Sequence, residues 1–170
     1  MDKFKVIIVE DVPLELKGTE GIFKSDIPEA EIIGTAESET AYWKTLKQQL
    51  PDLVLLDLGL GGSTTVGVEI CRQTKEQYPN IKVLIFTGEI LNEKLWVDVL
   101  DAGADGICLK SGELLTRGDV ESVMSGKKYV FNQPILEKIV ERFKQSVNAQ
   151  LLHQEAMVDY EIDEYDERFL

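Results

Sequence analysis

Three carboxylates, one hydroxyl and one ammonium stand directly after short apolar runs in this chain of 170 residues. Glu10-Asp11 follows Val6-Ile7-Ile8-Val9, and Asp57 follows Leu53-Val54-Leu55-Leu56. Thr87 follows Lys82-Val83-Leu84-Ile85-Phe86, and Lys110 follows Gly106-Ile107-Cys108-Leu109. If each run is a strand of one parallel sheet, all five side chains meet at one sheet edge. Three carboxylates repel one another unless a cation lies among them, and hard oxygen ligands suit Mg²⁺. An aspartate beside bound Mg²⁺ can attack phosphorus and form an acyl phosphate. Lys110 would then neutralise the transferred group, and the Thr87 hydroxyl would donate to one of its oxygens.

The chain between these residues supplies the required scaffold. Short β-branched runs alternate with amphipathic stretches. Asp11 caps a helix with Pro13 near its start, running to about Ser25. Glu31–Thr35 reads as the second strand, and a helix capped by Ser38 extends to Gln49, where Pro51 prevents continuation. A Gly-rich segment from Leu58 to Val66 predicts a mobile loop, followed by a helix ending near Tyr78. A fourth helix spans Glu93 to Ala102 and a fifth about Leu115 to Ser125, with Gly126 as terminator. Five strand–helix pairs predict an α/β fold, a five-stranded parallel sheet doubly wound between helices, with every strand-to-helix loop on one edge.

That domain accounts for residues 1–130. Beyond it Ile135, Leu136, Ile139, Val140, Phe143 and Val147 recur at helical spacing after Pro134. They predict an amphipathic helical extension or linker over 131–157. The final segment, 158–170, is acidic and is expected to fray.

Composition narrows the function classes. Lys and Arg number 18 against 31 Asp and Glu, a net charge of −13, which disfavours direct contact with phosphate backbones. No run approaches the ~18–20 apolar residues of a membrane span. Cys71 and Cys108 lack metal-ligand spacing and read as buried reduced thiols, as expected of a cytoplasmic protein. The lone histidine, His153, reads as an ordinary helix residue. Gly59-Leu60-Gly61-Gly62-Ser63-Thr64 lacks the lysine of a P-loop and the third glycine of a dinucleotide fingerprint. Taken singly, Asp11 is a helix cap, Asp57 a solvent-facing strand end, Thr87 a turn former and Lys110 a surface lysine. Their joint placement at successive strand ends favours the constellation.

At these residues the sequence resembles the receiver domain of bacterial two-component response regulators. The matching pieces are Val9-Glu10-Asp11, Leu55-Leu56-Asp57-Leu58, Phe86-Thr87-Gly88 and Ala102-Gly103-Ala104-Asp105-Gly106-Ile107-Cys108-Leu109-Lys110. The resemblance implies a CheY-like fold over about residues 3–130. It also implies that Asp57 accepts a phosphoryl group from a histidine kinase. Glu10, Asp11, Asp57 and the Gly59 backbone carbonyl would hold Mg²⁺. Thr87 and Lys110 would sense the phosphoryl group and shift the surface of the fourth helix, fifth strand and fifth helix. The last piece, with Gly126-Lys127-Lys128-Tyr129-Val130, is most similar to the NarL/FixJ subfamily, which carries a C-terminal LuxR-type helix-turn-helix. On that reading DNA is reached only through a domain missing or truncated here, whose start residues 158–170 resemble. A homodimer through the fourth and fifth helices or the sixth is a separate expectation.

Three features depart from the family. Ile107 stands where an aromatic switch residue is usual, and Leu60-Gly61 replaces a common Met-Pro pair. Gly59 and Glu89 occupy positions that modulate attack of water on the acyl phosphate. Trp96 reads either as a partner anchor on the output surface or as partial core. Three rivals remain: a stand-alone receiver acting by protein contact, a metal-dependent phosphatase working through an aspartyl phosphate, and a flavin-binding module. The phosphatase usually has a second Asp two residues after the nucleophile, where this chain has Gly59; the flavin module needs a Ser/Thr-rich phosphate loop absent after the first strand.

Overall fold

The apolar runs form the strands β1 (Phe4–Val9), β2 (Ala30–Ala36), β3 (Leu53–Leu56), β4 (Lys82–Thr87) and β5 (Gly106–Leu109). The structure is a computed structural model and describes residues 1–88, 92–110 and 115–166, as backbone only beyond residue 149. All strands are parallel, in the order β2-β1-β3-β4-β5, as the alternating pattern predicted. The helices are α1 (Pro13–Asp26), α2 (Glu39–Gln48), α3 (Thr64–Gln77), α4 (Glu93–Asp101), α5 (Arg117–Met124) and α6 (Gln133–Asp166).

The strands are apolar throughout because both faces are covered. Successive side chains point to opposite faces. Ile7, Val9, Val54 and Leu56 pack with Tyr42, Leu46 and Ile70 of α2 and α3. Their neighbours Val6, Ile8, Leu53 and Leu55 pack with Phe23, Val120 and Val123 of α1 and α5. The sheet is therefore wound on both sides. Cys71 and Cys108 lie one in each layer, unpaired and buried, and burial pushes the Cys71 thiol up to about 12 and the Cys108 thiol higher still.

A sixth strand, β6 (Val130–Phe131), extends the expected sheet beside β5. Two residues carry no readable period. What fixes them is Asn132, buried, whose side chain accepts from the Leu109 N–H at 3.2 Å and donates to the Leu109 carbonyl at 3.0 Å, as another backbone unit would.

Three local expectations are corrected. Asp11 does not cap α1: the cap residue is Val12, without a side-chain hydrogen bond, and Pro13 presets the first turn. The Gly-rich segment holds a 3₁₀ turn over Leu60–Gly62 that buries Leu60, and α3 already begins at Thr64. The start of α5 falls at Arg117, since Thr116 and Asp119 form a reciprocal capping box. Gly126 ends that helix as expected, with φ +86°.

The contacts divide the chain into two units, Met1–Ile135 and Leu136–Leu170. Helix α6 runs from Gln133 through residue 157 to Asp166. No glycine or proline follows Pro134, so nothing in the backbone chemistry interrupts it.

Candidate functional site

The chain leaves β1 for β2 on one side and returns to β3 on the other. Between the carboxyl ends of β1 and β3 lies the crevice that such a reversal creates. Glu10 and Asp11 arrive there from β1, and Asp57 from β3. Backbone bonds fix them: the Glu10 N–H donates to the Ala36 carbonyl and the Asp57 N–H to the Val9 carbonyl, each at 2.9 Å.

The three side chains form one acidic cluster, with an oxygen of each within 4.8 Å of the others. Each is aimed by a backbone N–H. Glu10 Oε1 accepts from Val12 at 3.1 Å, Asp57 Oδ2 from Gly59 at 2.8 Å, and Asp11 Oδ2 from Gly61 at 2.8 Å. The last bond explains why Asp11 is not a cap, and the residue that makes it, Gly61, has a left-handed φ of +61°, which glycine adopts without steric cost. An all-oxygen, strongly anionic donor set of this kind suits a hard divalent cation such as Mg²⁺.

Lys110 closes the cluster from the other side. Its N–H donates to the Thr87 carbonyl at 2.9 Å, which ties the ends of β4 and β5 together. Its ammonium pairs with Glu10, lies 2.5 Å from Glu15 Oε2 and 3.1 Å from Asp57 Oδ1, and stands 5.7 Å from the Phe86 ring centre. Burial alone would lower its pKa; the hydrogen bonds with Glu10 and Glu15 and the charge of Asp57 outweigh burial and raise it. Burial dominates at Glu10 and raises its carboxyl above the usual range despite the Lys110 and Val12 hydrogen bonds.

Thus Glu10, Asp11, Asp57 and Lys110 are brought together, with Thr87 buried at the adjoining strand end. The Gly59 carbonyl accepts the Gly62 N–H at 3.0 Å, which leaves its second lone pair free to accept. Ile107 is fully buried in β5, in register with Ile85 and Phe131. Glu89 lies outside the described residues. Trp96 is partly buried and meets Phe131 edge-on, with ring centres 6.0 Å apart, so it belongs partly to the core. Sequence reasoning missed Glu15. Its signal was its place in the first turn of α1, directly beyond the β1 carboxylates.

Residues 6–116 match the response regulator receiver domain model. The chain belongs to the response regulator receiver domain family. Residues 130–170 match a second model, a family of unknown function designated DUF5932. Relatives of this receiver domain include the response regulator protein VraR of Staphylococcus aureus (strain NCTC 8325 / PS 47), 30% identical over 140 residues, which cover 82% of this chain and 65% of VraR. The DNA-binding transcriptional activator DevR/DosR of Mycobacterium tuberculosis is 29% identical over 131 residues, 76% of this chain and 58% of that protein. The isolated REC domain of RcsB from Salmonella enterica serovar Typhimurium superposes with a TM-score of 0.71 at 23% identity, covering 80% of this chain and 98% of that one, and shares the fold. The relatives are response regulators of the NarL/LuxR kind, as the last motif implied. This chain spans about half to two thirds of the length of its curated relatives, from 52% to 65% in those with the strongest matches. Among the described residues, no helix is long and apolar enough to cross a membrane.

Proposed function

We propose that this receiver domain is a phosphorylation-operated switch in which Asp57 is the phosphoacceptor. The observation that carries the reading is the setting of the Asp57 carboxylate: 3.1 Å from the Lys110 ammonium and in one cluster with Glu10 and Asp11. Asp57 attacks the phosphorus of a phosphohistidine on a histidine kinase; a P–O bond forms, the P–N bond breaks, and the imidazole leaves with a proton. Glu10, Asp11, Asp57 and the Gly59 carbonyl would hold Mg²⁺, which when bound offsets charge on the transferred group. The Gly59 N–H keeps Asp57 turned toward the crevice. Lys110 neutralises the added charge, and the Thr87 hydroxyl donates to a phosphoryl oxygen.

The switch works by population shift: the modification favours whichever arrangement of the α4, β5 and α5 surface pairs better with it. Ile107 transmits this by packing, not by the swing of an aromatic ring, and Glu89 tunes the attack of water. This is a regulator acting once per phosphorylation in the cytoplasm, not a turnover enzyme. By analogy with relatives named as transcriptional regulators, its output is transcription control through a DNA-binding domain not contained in these residues. Incubation with radiolabelled acetyl phosphate should give a Mg²⁺-dependent, base-labile label. Absence of label with Mg²⁺ present, or sustained hydrolysis of a generic phosphate ester, would overturn the reading.

A further inference from the structure

Helix α6 repeats with an eleven-residue period that the receiver function does not use. Leu136, Val140 and Phe143 are followed eleven residues on by Val147, Leu151 and Gln154, and eleven further by Val158, Ile162 and Tyr165. Eleven residues make just over three helical turns, so these positions stay in line along a nearly straight helix. The helix is 34 residues long, about 50 Å. At its start the stripe is open to solvent: Leu136 is 43% exposed, Val140 51% and Phe143 70%. Single exposed apolar residues need no explanation, but a periodic row of them marks an interaction surface.

Charge selects the occupant. Residues 133–150 carry three basic side chains, Lys138, Arg142 and Lys144, against two acidic ones, whereas 151–166 carry six acids and no Lys or Arg. The stripe runs through both halves. A second copy laid alongside in the same direction would set six acids against six. Laid in the opposite direction, it sets the basic half of each helix beside the acidic half of the other, with the row between them apolar except at Gln154. A basic helix from another protein would answer only the acidic half.

We propose that α6 is an antiparallel self-association helix, pairing along its eleven-residue stripe with α6 of a second copy of this chain. The pairing is isologous, so it closes at two copies. It rests on α6 alone and is independent of phosphoryl acceptance at Asp57.

Sedimentation equilibrium of the full chain tests it, across protein concentration and at low and high salt. The wild-type chain should be a dimer, and Phe143→Glu should weaken association tenfold or more. Phe143→Ala should weaken it less, and it stands in if circular dichroism and thermal unfolding show that Phe143→Glu has disturbed the receiver. Raising salt should loosen the dimer, because its cross-helix charges attract. A monomer at every concentration, or a dimer indifferent to both substitutions, would overturn the proposal. So would a dimer that tightens with salt, or a Leu136→Cys chain that forms a disulfide with its own copy, since each requires helices running the same way.

Discussion

The Lys110 ammonium stands 3.1 Å from Asp57 Oδ1, and its other two partners, Glu10 and Glu15, both come from the β1–α1 junction. One lysine at the end of β5 thus balances carboxylates delivered by two other strand ends. Replacing it by alanine leaves the buried Glu10 without its cation. Removing one partner of a buried pair costs about 3 kcal/mol. Lys110→Ala should therefore lower stability by about that much in urea unfolding, with Mg²⁺ restoring part of the loss. Phosphorylation should persist, while its effect on the α4, β5 and α5 surface is lost; amide exchange of that surface reads the difference.

Asp11→Asn removes one anionic oxygen from the cluster but keeps an acceptor for the Gly61 N–H. The 3₁₀ turn should therefore survive while Mg²⁺ affinity, read by calorimetry, falls by tenfold or more. Unchanged affinity would remove Asp11 from the metal site.

Gly67 sits on α3 where a Cβ would lie 2.7 Å from Leu58 Cα and 3.0 Å from the Asp57 carbonyl oxygen. These are backbone atoms and cannot rotate aside. Gly67→Ala should cost about 2 kcal/mol in urea unfolding and slow phosphoryl acceptance, because the loop that must yield carries Asp57.

A second ion pair sets part of the acid response. Arg117 holds Glu29 through two hydrogen bonds, Nη1 to Oε2 at 3.0 Å and Nη2 to Oε1 at 2.5 Å, and the pair lowers the Glu29 pKa from its ordinary 4.5. A carboxyl depressed in the folded state contributes stability that is present above its unfolded value and lost as pH falls through the folded one. Glu29→Gln should flatten the fall of melting temperature as pH drops below about 4.5. An unchanged slope there would show that the pair is not felt.

Much of this was legible because period and placement are local properties. Four apolar residues before Asp57 imply a strand covered on both faces, and the crossover rule then sends Asp57 to the same edge as Asp11. What escaped depends on contacts distant in sequence. The capping role expected of Asp11 yielded to the Gly61 N–H, a partner fifty residues away. The mobile loop expected from its glycines is a turn, because Leu60 finds the core and Gly67 lets α3 lie against Leu58. β6 was invisible because Asn132, not a hydrophobic pattern, fixes it. Glu15 was overlooked because one acidic residue in the first turn of a helix is ordinary until Lys110 is seen to reach it.

The most direct test is intact mass after incubation with acetyl phosphate and Mg²⁺, followed by borohydride reduction and peptide mapping. The wild-type chain should gain one phosphoryl group, and reduction should convert Asp57 to homoserine, while Asp57→Asn gains nothing. A phosphoryl group retained by Asp57→Asn, or homoserine at any other aspartate, would contradict the account.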